Sequence, residues 1–332
     1  MGGDNAPGAI VNGCVDALNE TEGFDVILIG DSKQIVEITE ERKFNTSRLA
    51  VVHTTEIITN EDKPTRCIRE KKESSMVTGF NMLKEKKGDA FISAGSTGAL
   101  MAGALFILGR IKGVDRPALA AVIPTSMGGT LLIDVGLNTM CKPINFLQFG
   151  TIGSIYMKEA FNIDNPRVGL LNVGSEQKKG NEIIKQAYAT LSNSNLNFVG
   201  NIEGNDIPTG KVNVAVCDGF VGNILLKFLE GTGSFIFGTL KEVYSKNIFS
   251  KLSALVAKDE IKAFAKKLDP DEYGGTPILG VNGIVFKCHG SSKAKAVKNA
   301  VKKAYDFSKT SALKQIEEKF RNVEVEEIEQ SV

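Results

Sequence analysis

Eight short aliphatic and β-branched runs, separated by longer stretches with helical spacing, constrain this chain more than any other feature. They fall at 24–29 (FDVILI), 50–53, 90–93, 131–135, 168–173, 197–201, 212–217 and 284–288. A strand that is apolar along its whole length must be covered on both faces, as in a parallel sheet between helical layers. Helical spacing fills 8–18, 66–86, 97–110, 145–160, 181–191, the stretch from 222 onward, and 293–319. The expected fold is α/β: a doubly wound, three-layer α/β/α arrangement with a mostly parallel sheet. No internal repeat or low-complexity linker divides the chain. Residues 1–332 are therefore read as a single domain, with a helical excursion at about 230–268. The opening MGGDNAP reads as a turn that follows a strand, so the chain is expected to begin inside its first β–α unit.

Composition removes several classes of function. A formal net charge of +1 predicts no nucleic-acid partner. The five cysteines (Cys14, Cys67, Cys141, Cys217 and Cys288) have neither CxxC nor zinc-like spacing, and read as reduced thiols of a cytoplasmic protein. Neither a secretory leader nor an apolar run approaching the ~20 residues of a membrane-crossing helix is visible.

In an open α/β sheet, ligands bind beyond the carboxyl ends of the strands. Those ends are unusually polar here. The run at 90–93 is followed by Ala94, Gly95, Ser96, Thr97 and Gly98. The run at 131 leads to Asp134, Gly136 and Asn138, then Cys141 and Lys142. The run at 168 leads to Asn172, Gly174 and Glu176, then Lys178, Lys179, Gly180 and Asn181. Asn201 to Asp206, Asp218–Gly219–Phe220–Val221–Gly222–Asn223, and His289–Gly290–Ser291–Ser292 follow the others. Asp4 and Asn5 open a similar turn. Glycine lets backbone amides approach a ligand closely, and a helix that starts next points free N–H groups at an anion. All these loops are expected along one rim of the sheet. GxGxxG, GxxxxGK[ST] and GxSxG are all absent, which argues against a dinucleotide enzyme, a P-loop protein and a serine hydrolase.

Arginine is scarce. Arg66 and Arg69 read either as a solvated helix face or as oxyanion ligands, and Arg110, Lys112 and Arg116 form a short basic turn. From 234 to 268 the apolar positions Phe237, Leu240, Tyr244, Ile248, Leu252 and Leu255 recur at steps of three or four. Lys241, Lys246, Lys251, Lys258, Lys262, Lys266 and Lys267 lie between them. Two compatible readings stay open: a helix pair packed on a dimer mate, or a basic amphipathic segment on an anionic membrane.

The blocks MGGDNAPG, SAGSTGALMAGALFILGRIKGVDRPALA, VGLLNVGSEQKKGN, DGFVGNILLK, YGGTPILG and CHGSS resemble the bacterial phosphate acyltransferases of phospholipid synthesis. The resemblance runs from residue 1 to about 305. It implies acyl carrier protein and inorganic phosphate as partners, an acyl phosphate product, a homodimer and no cofactor or metal. It also implies a fold similar to phosphate acetyltransferases and isocitrate-type dehydrogenases. The protein is expected to be cytoplasmic, with the basic amphipathic segment associating it peripherally with the membrane, where a membrane glycerol-3-phosphate acyltransferase is an expected partner. The chain departs from the family in lacking the strand before MGGDNAP, and in Leu137 and Met140, which make that loop less polar.

On this reading phosphate needs positioning rather than a strong base. Backbone amides of Gly95, Ser96, Thr97, Gly180, Gly219 and Gly290 are candidates, with Lys142, Lys178 and Lys179 supplying charge. Asp4, Asn5, Asp134, Asn138, Asn172, Asn181 and Ser291 complete the substrate-binding set, and Asp218, Asn223, His289 and Lys178 the catalytic one. Arg110, Lys112 and Arg116 are assigned to carrier docking. His53 and the thiols of Cys217 and Cys288 are read as structural. A short-chain phosphate acetyl- or butyryltransferase using acyl-CoA is the alternative.

Overall fold

The computed structural model describes the backbone of residues 1–330, with side chains throughout except at 265, 267, 268, 270, 273 and 322–330. Lys267 thus lies outside the described side chains. Strands β1 (Val26–Gly30) and β2 (Leu49–His53) form a two-stranded parallel sheet. The remaining strands are β3 (Ala90–Ser93), β4 (Ala118–Thr125), β5 (Gly128–Ile133), β6 (Val168–Leu171), β7 (Phe198–Ile202), β8 (Val214–Val216), β9 (Thr276–Leu279) and β10 (Ile284–Lys287). They make an eight-stranded sheet in the order β3-β10-β9-β4-β5-β8-β6-β7.

Helices cover both faces of this sheet. On one lie α3 (Pro64–Glu70), α4 (Ser75–Lys84), α5 (Thr97–Gly103, continued as a π turn to Leu108) and α8 (Gly219–Ser245), over Leu119, Leu132, Ala215, Ile278 and Val285. On the other lie α6 (Pro143–Phe161), α7 (Glu182–Ser192), α12 (Ala294–Ser308) and α13 (Ala312–Gln330), over Leu131, Ile133, Leu170, Val214 and Phe286. Successive residues thus take opposite faces, the period of two that a strand demands. Helix α1 (Gly8–Glu20) packs through Val11 and Cys14 on Val297 and Val301 of α12, and α2 (Ser32–Glu40) joins through Ile35. The facing edges of β1 and β3 bound a cavity of about 630 Å³, walled by α1, α4 and α12 and reached by Met1 and Gly2.

Two expectations are corrected. The strand ends do not share one rim. β10 is parallel to β3, but β9 is antiparallel to both β10 and β4, and β4 is antiparallel to β5. β5, β8, β6 and β7 are mutually parallel, so they point opposite to β3 and β10. The loops carrying His289 and Gly95 therefore open at one end of the sheet, and those carrying Asp134, Asn172 and Asp218 at the other. Second, α8 has 27 residues and is long and apolar enough to cross a membrane. Its glycines and threonine disguise the run in the sequence. Its first turn is nonetheless docked on the sheet, because Gly219 and Gly222 lie against the Asp134–Asn138 loop.

Beyond α8 the expected excursion is present as α9 (Ile248–Val256) and α10 (Lys258–Leu268), closed by the short α11 (Pro270–Tyr273). Phe237 of α8 meets Phe264 of α10 at 5.8 Å between ring centres. Phe235, Val243, Ile248, Phe249, Leu252, Leu255 and Val256 stay exposed.

Candidate functional site

At the β3/β10 end, three loops are stitched together. The Asp4 amide donates to the Gly290 carbonyl at 2.8 Å, and Asn5 Nδ2 donates to the Ser291 carbonyl at 2.9 Å. Gly3 takes φ +105°, and a Cβ there would lie 2.9 Å from the Ala94 carbonyl. Only glycine meets both demands. The Gly95 amide donates to Ser93 Oγ at 3.1 Å, which turns the chain toward Ser96 and α5. Ser96 is buried and Thr97 exposed.

His289 follows β10 and is exposed. Its Nδ1 lies 2.8 Å from Ser291 Oγ and accepts the Ser291 amide at 3.3 Å. An amide can only donate, so the ring proton sits on Nε2, which points away from these partners. Partial burial lowers the His289 pKa from 6.5, and the Lys227 and Lys287 ammoniums add to this, against Glu230 and Asp4. The imidazole is therefore a neutral N–H donor at neutral pH. Lys287, Lys227 and Glu230 are side chains of this end that sequence reasoning missed. The available signal was Lys287 itself, a lysine inside the apolar run IVFKC.

At the opposite end Asp134 is fully buried. Its carboxylate accepts from the amides of Leu119 (3.0 Å), Gly136 (3.2 Å), Leu137 (3.1 Å) and Asn138 (2.6 Å), and from Asn138 Nδ2 (2.9 Å). Burial raises its pKa against the pull of those donors. All its acceptor capacity is used inside the protein, so Asp134 shapes the loop that α8 meets and offers no face to a ligand. Asn138 Nδ2 also donates to the Pro117 carbonyl at 2.7 Å. Asp218 caps α8 by accepting the Val221 amide at 2.8 Å, and the exposed Asn223 packs on Gly136.

The Asn172 loop stands beside this cluster. Asn172 Nδ2 donates to the Lys179 carbonyl at 3.1 Å, and Asn181 caps α7 through the Ile184 amide at 3.0 Å. Gly180 sits at φ +90° with Asn172 Oδ1 against it. Lys179 pairs with Glu176 at 3.8 Å, and Lys178 is exposed. Lys142 leads into α6 just past the Asp134–Asn138 loop. Its Nζ lies 3.6 Å from Asp115, which also accepts from Asn145 Nδ2 at 2.9 Å and faces the guanidinium of Arg110 at 3.9 Å. The Asn145 hydrogen bond, with Lys142 and Arg116, holds Asp115 below its usual range. Arg110, Lys112, Arg116 and Lys142 are exposed and form one basic patch at this end.

Helix α8 ties the two ends together. It starts at Asp218 and crosses the face of the sheet, so that Lys227 and Glu230 come within electrostatic reach of His289. Asn223 and Lys227 are one turn apart, about 6 Å along the axis. His53 accepts the Ser32 amide at 3.1 Å and belongs to the β2–α2 junction. Arg66 pairs with Glu70 at 2.7 Å, and Arg69 lies over Phe106. Cys217 and Cys288 are buried, and burial raises both thiols, Cys288 to about 12, which leaves neither a ready nucleophile.

Comparison with known proteins decides the family. A profile described as "Fatty acid synthesis protein" matches residues 1–315. A phosphate acyltransferase of Acetivibrio thermocellus is 59% identical over 332 residues, which is 100% of this chain and 98% of that protein. The chain belongs to the phosphate acyltransferase family. A second member, from Thermoanaerobacter pseudethanolicus, is 48% identical over 97% of this chain and 96% of its own. Among solved structures, a phosphotransacetylase from Streptococcus pyogenes superposes with TM-score 0.61 at 15% identity, covering 91% of each chain. The EutD phosphotransacetylase of Staphylococcus aureus gives 0.59 at 14% identity, over 90% of each. These two likenesses establish the fold. As a phosphate acyltransferase, the protein is an enzyme of fatty acid and phospholipid synthesis, and the two polar clusters joined by α8 are its candidate active site.

Proposed function

We infer that the enzyme transfers a long-chain fatty acyl group from acyl carrier protein to inorganic phosphate. One observation carries this reading. α8 presents an exposed apolar stripe, Phe220, Ile224 and Phe228, on the helix that also bears Asn223 and Lys227. Residues four apart share a helix face, so the stripe is continuous over two turns. A long acyl chain needs such a surface, and an acetyl group does not.

A phosphate oxygen attacks the thioester carbonyl. The new C–O bond forms as the carbonyl π pair moves to oxygen; that pair then re-forms C=O as the C–S bond breaks, and the thiolate leaves with the C–S electron pair and takes up the proton that phosphate releases. His289 Nε2–H donates to the carbonyl oxygen as charge develops there, and amides of the glycine loops assist. Asp218 and Asn223 hold the start of α8 against the Asp134 loop. The exposed patch of Arg110, Lys112, Arg116 and Lys142 suits an acidic carrier protein. The exposed apolar faces of α8 and α9, edged by lysines, suit a second copy of the chain and the surface of an anionic membrane.

Release of free carrier thiol from palmitoyl-carrier protein, with and without phosphate, tests the reading beside the same assay on acetyl-CoA. Phosphate-dependent release from the carrier substrate alone is expected. Release from acetyl-CoA alone would assign the protein to short-chain transfer.

A further inference from the structure

The geometry points to Lys287, aided by Lys227, as the side chains that hold the attacking phosphate. This rests on the acyl transfer to phosphate proposed above, and moves the anion from the lysines of the Asn172 loop to the β10 end.

Lys287 is the last residue of β10, in register with Ser93 of β3 on one side and Thr276 of β9 on the other. Strand alternation sets it on the face of Val285, whose side chain packs beneath α5 and α8. Lys287 is only partly exposed, yet among the described residues no carboxylate lies within ion-pair distance of it. A half-buried ammonium without a counter-ion is costly, and such groups cluster at binding sites. Burial lowers the Lys287 pKa and the Lys227 ammonium lowers it further, while the Glu230 carboxylate acts the other way from beyond ion-pair distance. Lys227 is itself partnered by Glu230 at 2.6 Å, which fixes its direction and leaves Lys287 as the cation of this group without an ion pair among the described residues. An oxyanion among Lys287, Lys227 and the Nε2–H of His289 supplies the counter-ion that Lys287 lacks. Lys178 and Lys179 are both exposed, and neither is half-buried as Lys287 is.

The same chemistry would suit the phosphodiester of a carrier-bound pantetheine arm, and kinetics separates the two. In Lys287→Gln the KM for inorganic phosphate is expected to rise about tenfold or more, the scale of one lost charge-assisted hydrogen bond. The KM for acyl carrier protein stays within about twofold, since no carrier contact is removed. Lys287→Arg recovers part of the loss, as a second cation can still meet a tetrahedral oxyanion. An unchanged phosphate KM overturns the proposal, as does a rise confined to the acyl carrier protein. A rise in Lys178→Gln with none in Lys287→Gln overturns it too. Wild-type enzyme supplies a check independent of folding. Reductive methylation followed by peptide mass spectrometry should show Lys287 and Lys227 protected by inorganic phosphate and Lys178 unprotected. Equal labelling with and without phosphate rejects the site. Thiol release by the wild type remains the separate test of the reaction itself.

Discussion

His289 is held as a donor by its neighbours. Its Nδ1 is committed to Ser291, and the groups facing it are Lys227 and Glu230 from α8, Lys287 from its own strand and Asp4 from the opening turn. Its pKa is lowered from 6.5, so the neutral ring is lost only as pH falls through that lower value. The imidazolium keeps its Nε2–H, but its protonated Nδ1 no longer accepts the Ser291 amide that aims the ring, so kcat/KM should fall on the acid side with a midpoint below 6.5. Lys227→Gln removes a cation, so the midpoint should move to higher pH. A pH profile that does not move in Lys227→Gln would count against this assignment. His289→Gln should cost on the order of 10²-fold in kcat, the usual value of one oxyanion donor. The residue types at this end were legible because His, Gly and Ser crowd one strand end. Lys287 was not, because an apolar run is read for its majority, and one lysine within it is discounted.

Among the elements, α8 depends most on a single close approach. A Cβ at Gly222 would run into the carbonyl oxygen of Asp134. Gly222→Ala should destabilise the protein by about 1–3 kcal/mol, read from the urea midpoint. Gly231 lies in the same helix, and a methyl group there would meet nothing within 4 Å. Gly231→Ala should therefore stabilise by about 0.5–1 kcal/mol through helix propensity alone. If both substitutions destabilise equally, the docking of α8 on the Asp134 loop is not what makes Gly222 necessary. The long apolar strands and their following helices were readable from burial on two faces. β4 and β9 were missed because each carries a proline, Pro124 and Pro277, and prolines usually demote a strand. The expected helix at 66–86 divides into α3 and α4, with Ser74 accepting the Val77 amide as a new cap. No glycine or proline marks that break.

For the whole molecule, what could not be read was polarity. Each run looks the same in either direction; the two antiparallel steps at β9 cancel, and the reversal of half the sheet comes from β4 pairing antiparallel with β5. The exposed flank of α8, α9 and α10 is a property at the same scale. Leu252, 53% exposed on α9, offers a clean test. Leu252→Glu is expected to abolish co-sedimentation with vesicles containing anionic lipid while the thiol-release rate on soluble substrate is kept. Unchanged co-sedimentation would leave this flank to dimer contacts alone.

The strand order also dictates when each part of the enzyme can come into being. β4, β5, β6, β7 and β8 all lie between residues 118 and 216, so that half of the sheet has its partners as soon as this stretch has left the ribosome. β3 must wait nearly two hundred residues for β10, its Ala90 pairing with Ile284. Contacts so distant in sequence are slow to close and are made late. The end of the sheet that carries His289 and Lys287 is then the last to be assembled, on a half already folded beside it. A nascent chain stalled short of β9 would be largely structured and wholly without chemistry.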